Sequence, residues 1–385
     1  MILIVAPYSG TLPENSPFLA GAKKIRTIIK ILKSFDDNVV LLNSGYSHDN
    51  NQLMQEIVDF DGVGAVKIIT PSARNNSRLK LLVNLINSKK IIDDVVSIHG
   101  IPNVVWCYNG YAFEMRVAAY LRKKYRVKTI LEFEDWHFAR RRLFNPKPYL
   151  DWIFWRLAIR QLDYGIVVNG KLADKLANHN IKSVMLPGIV SPHVSVLPNK
   201  FPPFKNKNTI VGYFGGLSSE KGADKILRLV EDLDVNANFI VTGTGELQGV
   251  FKLLAKKMPD RLKYLGAVSE WDLIAAIAQV DVIINPHVAN DGIFPFKIIE
   301  ALGSGRLLIS TKLPMHGYES YVEAIQFYDG SYSNLVFMIN SAADIYKNKK
   351  NTINRVAEIA HDNFGQENLN NIIGNLLQVL NTHEL

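Results

Sequence analysis

Short runs of Val, Ile and Leu, most of them separated by segments long enough for a helix, recur along the whole chain and constrain its fold more than any other feature. Strands are expected in the first half at Ile2–Ala6, Val39–Leu42, Val66–Ile69, Val104–Tyr108, Thr129–Phe133, Ile166–Val168 and Val184–Leu186. In the second half they are expected at Ile210–Phe214, Asn238–Thr242, Leu262–Leu265, Asp281–Asn285, Arg306–Ser310 and Ala324–Tyr328. A strand apolar at nearly every position is buried on both faces, and the helices between strands supply the crossovers that parallel pairing needs. The pattern lapses between Pro187 and Asn208, where Pro192, Pro198, Pro202 and Pro203 break any periodicity. The expected fold class is therefore α/β, with two doubly wound, Rossmann-like domains facing a cleft. The expected division is a first domain at 1–188, a linker at 189–208, a second domain at 209–365 and a last helix at 366–385. That helix carries Leu369, Ile372, Ile373, Leu376, Leu377 and Leu380 and is expected to cross back to the first domain. Ligands of such sheets bind at the carboxyl ends of the strands.

Composition narrows the class further. The 385 residues hold enough material for two cores, and 48% hydrophobic with 21% charged residues describes a soluble globular chain. No apolar run approaches the roughly 18 to 20 residues of a spanning helix. The start, Met1 through Pro7, lacks a basic leader and reads as a buried strand rather than a signal peptide. One cysteine, Cys107, excludes an internal disulfide and a cysteine zinc site, and in its strand it reads as a buried, inert thiol. A reducing, cytoplasmic setting follows. The net charge of +8 calls for an anionic partner. No nucleic-acid motif accompanies it, which leaves acidic headgroups and phosphorylated small molecules.

The strongest local signal is Val211-Gly212-Tyr213-Phe214-Gly215-Gly216-Leu217-Ser218-Ser219-Glu220-Lys221-Gly222. A strand runs into paired glycines and then a lysine where a helix should begin. Glycines let a ligand approach the backbone, and amides at a helix start together with an ammonium attract phosphate. The Walker spacing is absent. Gly243-Thr244-Gly245 repeats the device after the next strand but lacks the third glycine of the dinucleotide fingerprint. The third element runs from Pro286 to Gly305, with Lys297 and Glu300 three residues apart on one expected helix face. An acid at such a helix start can accept hydrogen bonds from ribose hydroxyls.

Taken in order, Gly-Gly-Leu…Glu-Lys-Gly, Gly-Thr-Gly, Tyr264-Leu265-Gly266 and Phe-Pro-Phe-Lys-Ile-Ile-Glu-Ala-Leu-Gly-Ser-Gly resemble the C-terminal half of GT-B glycosyltransferases. The closest type is family 4, retaining enzymes that use nucleotide-sugar donors. The resemblance covers Ile210 to Ser310 well and the first half only loosely. It implies that Lys221 binds the donor diphosphate beside Gly215, Gly216, Gly243 and Gly245. Glu300 would hold the ribose, Gly266 and Ala267 would lie near the base, and Ile293 and Phe294 would approach the phosphates or the sugar. Two departures stand out. The family usually has arginine at the position of Gly216 and often has a first glutamate at the position of Gly292. Lys297 is expected to replace the missing cation, and Asp291 the missing acid. A lysine and backbone amides can stabilise the leaving diphosphate without a metal, and no Asp-x-Asp pair stands at a strand end, so no metal and no cofactor are expected.

In the first half, Thr129–Phe133 leads into Glu134, Asp135, Trp136 and His137. Glu132, Glu134, Asp135 and His137 are expected on the acceptor side. Glu134 is the nearest match to a histidine that family members place beside the reacting carbon, and with Lys221 and Lys297 it makes up the expected catalytic set. The plainer alternative is a salt-bridged loop against Arg140, Arg141 and Arg142. The loop holding Ser9 and Gly10 is expected to line the acceptor site. A helix at 21–35 places Ile25, Ile28, Ile29 and Leu32 on one face and Lys23, Lys24, Arg26, Lys30 and Lys33 largely on the rest. The first reading is an ordinary amphipathic helix packed on a sheet; the alternative, strengthened by Arg140–Arg142, Trp152, Phe154 and Trp155, is a basic surface for an anionic membrane or a lipid-diphosphate acceptor.

The expected activity is transfer of a sugar from a nucleotide-sugar to a growing cell-surface glycan (lipopolysaccharide or capsule) or lipid-linked acceptor, at the inner face of the cytoplasmic membrane. Two alternatives remain. One is a sugar-nucleotide epimerase. The other is a non-catalytic sugar-nucleotide-binding partner subunit, which the glycines at 216 and 292 would suit.

Overall fold

A computed structural model of the chain describes residues 1–8, 19–45, 53–60, 64–71, 79–136, 138, 146–205, 208–287, 297–313 and 315–381. The chain divides into two compact units, Met1–Leu186 with Asn370–Leu385, and Pro187–Leu369.

The first unit is built on an eight-stranded sheet of order β3-β4-β2-β1-β5-β6-β7-β8. Its strands are β1 (Ile2–Ala6), β2 (Val39–Asn43), β3 (Met54–Phe60), β4 (Gly64–Thr70), β5 (Val104–Tyr108), β6 (Lys128–Phe133), β7 (Tyr164–Val167) and β8 (Lys182–Met185). Helices α1 (Leu19–Lys33), α2 (Leu79–His99), α3 (Ala112–Tyr125), α4 (Lys147–Ala158) and α5 (Gly170–Ala177) fall between them. All five residues of β1 and of β2 are buried, as their unbroken aliphatic sequences require of central parallel strands. Strand β3, absent from the expected set, pairs antiparallel with β4. Its sequence MQEIVDF mixes acids with apolar residues, and Ile57 is exposed, as an edge strand permits.

The second unit holds a six-stranded parallel sheet of order β11-β10-β9-β12-β13-β14. Its strands are β9 (Thr209–Phe214), β10 (Ala237–Thr242), β11 (Leu262–Gly266), β12 (Val282–Asn285), β13 (Leu307–Ser310) and β14 (Ile325–Phe327). Two short helices, α6 (Pro192–Ser195) and α7 (Leu197–Lys200), precede the sheet. Then come α8 (Ala223–Glu231), α9 (Gln248–Lys257), α10 (Glu270–Gln279), α11 (Lys297–Gly303), α12 (Tyr332–Asn340) and α13 (Ala342–Phe364). In α8 the buried residues Ala223, Ile226, Leu229 and Val230 make one stripe against the sheet. The Pro-rich stretch read as a linker is anchored in this unit. Arg306 Nη1 donates to the Phe201 carbonyl at 2.6 Å, and the Asp281 carboxylate accepts from the amides of Phe204 and Ile210 at 2.5 and 2.8 Å. Helix α14 (Gln366–Asn381) leaves this unit and belongs from Asn370 onward to the first, where Gly374 lies against the Phe35 ring.

Each sheet has a point where strand order reverses, between β1 and β5 in the first unit and between β9 and β12 in the second. The loops leaving adjacent strands part there, opening the natural ligand position of a doubly wound sheet. No helix among the described residues is long and apolar enough to cross a membrane.

Candidate functional site

The reversal in the second unit brings together the turns after β9, β10 and β12. Gly215 donates its amide to the Thr242 carbonyl at 3.2 Å, and Leu217 donates to Thr244 at 2.9 Å. Gly243 has φ +122, and a Cβ there would stand 1.8 Å from the Gly215 carbonyl oxygen, so only glycine allows the two turns to pass this closely. The Gly243 amide donates to the Gly266 carbonyl at 2.7 Å, and the Tyr264 hydroxyl donates to the Gly243 carbonyl at 2.7 Å, which adds the end of β11 to the cluster. The four glycine positions Gly215, Gly243, Gly245 and Gly266 thus belong to one set of strand ends, with Gly216 and Ala267 beside them.

Lys221 ends a single 3-10 turn, Ser219–Lys221, rather than opening the helix, which begins at Ala223 after Gly222 at φ +77. A Cβ on Gly222 would meet the Pro286 carbonyl oxygen at 2.5 Å, so the turn sits directly on the end of β12. The amides of Lys221, Gly222 and Ala223 donate to Ser218 and Ser219 carbonyls within the turn. The expected helix-start amides are therefore committed, and the lysine side chain is the feature of this turn that can meet an anion. Its Nζ lies 3.0 Å from Nε2 of His287, a residue only 2% exposed.

Lys297 opens α11, and its ammonium stands 4.7 Å over the Tyr213 ring. It also flanks Gly215, where a Cβ would lie 3.5 Å from Lys297 Nζ. Burial, reinforced by the Lys221 charge, pulls the Lys297 ammonium down to about 7. A cation so placed is costly without an anion beside it. Glu300, one turn further, is 7% exposed, so it is not the solvated carboxylate that its spacing alone allows. Sequence reasoning missed His287. The residue following Pro286 lay in plain view, but only the structure places it on Lys221.

In the first unit, three charged side chains converge at the end of β6. Lys24 of α1, 1% exposed, lies 3.0 Å from the Glu132 carboxylate and forms a second ion pair with Glu134. Although it belongs to the basic set of α1, it is buried and also donates to the Leu186 carbonyl at 3.4 Å. Burial opposes the Lys24 ammonium, yet Glu134 and Glu132 outweigh it and raise its pKa. Burial likewise raises the Glu134 carboxyl against the pull of Lys24. The Glu132 second oxygen accepts from the Trp106 indole at 2.8 Å. Asn109, at φ +61, accepts the amides of Glu134 and Asp135 on its side-chain oxygen at 3.0 and 2.8 Å, fixing the chain as it leaves the strand. The acids thus meet a lysine from α1. Cys107 is fully buried, and burial pushes its thiol well up.

Seven of the expected site residues, Ser9, Gly10, His137, Asp291, Gly292, Ile293 and Phe294, lie outside the described residues, as do Arg140, Arg141 and Arg142. Among the described residues no group of three or more His, Cys, Asp or Glu side chains could hold a metal ion.

Residues 208–330 match the family described as glycosyl transferases group 1. No curated protein matches the sequence. Among solved structures, the chain is similar to sucrose-phosphate synthase from Thermosynechococcus elongatus, with a TM-score of 0.73 at 12% identity over 99% of each chain. It is similar to Anabaena HepE in complex with UDP, with a TM-score of 0.64 at 16% identity over 98% of this chain and 99% of that one. It is also similar to the lipopolysaccharide outer core galactosyltransferase WaaB, with a TM-score of 0.61 at 14% identity over 97% and 99%. At these identities the likeness shows the fold, which is GT-B over nearly the whole chain, and the match to the group 1 glycosyltransferase family falls on residues 208–330 of that frame.

Proposed function

We propose that this chain, carrying a group 1 glycosyltransferase domain at residues 208–330, moves a sugar from a nucleotide-sugar donor to a growing cell-surface glycan or lipid-linked acceptor, with retention and without a metal. The observation that carries the reading is the placement of two ammonium groups, Lys221 and Lys297, beside the Gly215–Gly216 turn at the point where the second sheet reverses its strand order. Breaking a sugar–phosphate bond leaves a nucleoside diphosphate with growing negative charge. Fixed cations in a partly dry site stabilise that charge without reorganising. Lys297 supplies the second cation where Gly216 offers none.

The remaining donor roles belong to the same proposal. Glu300 accepts from the ribose hydroxyls, Gly266 and Ala267 border the base, and Gly243 and Gly245 keep the strand ends open to the ligand. Asp291, Gly292, Ile293 and Phe294 keep the sugar-side roles implied by the family 4 resemblance. Glu134 is the carboxyl assigned to the reacting centre, with Glu132, Asp135, His137, Ser9 and Gly10 on the acceptor side. HepE was solved with UDP, with UDP and glucose, and with UDP-glucose, so uridine donors are the first to try.

Contact with the inner face of an anionic membrane completes the proposal. The outward side of α4 supports it: Tyr149, Ile153 and Leu157 are exposed there, with Arg156 and Arg160 alongside. A second reading, a sugar-nucleotide-binding subunit without turnover, is favoured by the glycines at 216 and 292. Incubation with a panel of nucleotide-sugars and lipid-linked acceptors, followed by NMR of the anomeric proton of any product, separates the readings. A product with the donor's anomeric configuration, lost in Lys221→Ala, supports a retaining transferase. Tight nucleotide binding with no product from any pair supports the subunit.

A further inference from the structure

The cations at the second reversal point are arranged in a way that simple phosphate binding does not require. Lys221 Nζ lies 3.0 Å from His287 Nε2, inside hydrogen-bond range. An ammonium can only donate, so with Lys221 charged the His287 Nε2 is the acceptor of this contact. The imidazole is 2% exposed, and its own carbonyl is held by the Thr311 hydroxyl at 2.5 Å, which fixes the ring's backbone to the end of β13. Lys297, whose Nζ would lie 3.5 Å from a Cβ on Gly215, stands over the Tyr213 ring at 4.7 Å and has no ion-pair or hydrogen-bond partner among the described residues.

We propose that Lys221, His287 and Lys297 form one proton-loading phosphate site, in which His287 positions Lys221 as a hydrogen-bond acceptor and the site takes up a proton when a diphosphate binds. This rests on the donor-site reading above.

Proton uptake and anion binding are linked. Two lysine charges side by side, one of them desolvated, repel each other, and the empty site relieves this by releasing the proton of Lys297 near neutral pH. A nucleoside diphosphate brings at least two negative charges into contact with the same nitrogens. The ammonium form then becomes the favoured one, and binding pulls the proton back on. The other titratable groups around Lys297 do not substitute for it. Tyr213 of β9 is raised by burial and stays neutral throughout. Asp224 of α8 acts on Tyr213 and Tyr328, and Lys225 of α8 bonds the Tyr328 hydroxyl at 3.3 Å. Glu300, on the same helix as Lys297, is assigned to the ribose. The expected signature is affinity that weakens by roughly tenfold for each unit of pH above the Lys297 value. Towards the acid side the gain levels off, where a terminal phosphate begins to take its own proton near about 6.

The test is titration calorimetry on the full chain at pH 8, with UDP, GDP, ADP and TDP each in two buffers of different ionisation enthalpy. For the nucleotide that binds, the difference in heat counts the protons exchanged. The proposal expects uptake close to one proton, reduced to near zero in Lys297→Met, whose affinity also becomes flat between pH 7 and 9. His287→Ala should weaken binding about tenfold at every pH by loosening Lys221. His287→Gln, which keeps an acceptor, should recover most of it, and recovery also shows that the site has folded. A nucleotide that binds with equal heats in both buffers and with affinity unchanged from pH 7 to 9 overturns the inference and leaves the donor site standing. Failure of every nucleotide to bind overturns the donor site itself, and this inference with it.

Discussion

Lys24 and Glu132 form an ion pair of 3.0 Å in which the two side chains are 1% and 2% exposed, and Glu134 adds a second carboxylate to the same ammonium. Buried charges survive only in company, and removing one partner strands the others at a cost of about 3 to 5 kcal/mol. Lys24→Met should therefore lower the urea-unfolding free energy by about that amount at pH 7. Adding Glu134→Gln removes one stranded charge and should recover part of the loss. A double variant no more stable than the single one would show that the lysine does not hold these carboxylates.

Glu114, at the first turn of α3, is fully buried, and burial raises its carboxyl to about 7 although Ser44 donates to it. The folded state then holds this proton more tightly than the unfolded chain, in which the group titrates near about 4.5. Its stabilising contribution is complete below that lower value and is lost as pH rises through about 7. Over this window Glu114 alone should cost about 3 kcal/mol of stability. Urea unfolding at pH 5, 6, 7 and 8 should show Glu114→Gln losing less stability than the parent chain across the series. Parallel curves would refute the assignment.

Two glycines at the ends of β9 and β10 should respond in opposite ways. Gly243→Ala drives a Cβ into the Gly215 carbonyl at a strained φ and should destabilise the second unit by more than about 2 kcal/mol, read as a lower urea midpoint. At Gly216 the nearest atom to a Cβ is Lys221 Cγ at 3.8 Å, ordinary contact distance. Gly216→Arg should fold normally and tighten nucleotide binding by about fivefold to a hundredfold, as an added guanidinium on a phosphate would. Calorimetry showing unchanged or weaker binding would place the diphosphate away from Gly216.

The outward side of α4 makes a prediction about membranes. Vesicles containing phosphatidylserine should sediment the protein, neutral vesicles should not, and Leu157→Asp should release it by about tenfold, because it places a charge within the exposed apolar face. Binding that is indifferent to lipid charge would contradict this role for α4.

The sheets were legible in the sequence because their central strands are apolar on both faces. Val104–Tyr108 reads as a strand without context and is β5. Strand β3 was not legible, since an edge strand may mix Gln, Glu and Asp with Ile and Val. The turn after β9 was legible as a glycine pair followed by lysine, but its geometry was not. Whether Lys221 starts a helix or ends a 3-10 turn depends on Gly222 settling on Pro286. Lys24 and His287 were missed for one reason. Each acquires its meaning from a partner more than sixty residues away, 66 positions for His287 and 110 for the Lys24–Glu134 pair. Local spacing carries no trace of such pairs.

The most direct test of the account is a thermal-shift panel of UDP, GDP, ADP, TDP and CMP on the parent chain, Lys221→Ala and Glu300→Ala. A nucleotide at about a hundred times its dissociation constant adds about 2.7 kcal/mol of stability, enough to raise Tm by several degrees. A rise is expected with one base in the parent chain and none in either variant. An unmoved Tm with every nucleotide at saturation, or an equal rise in all three proteins, would contradict a donor site built on Lys221 and Glu300.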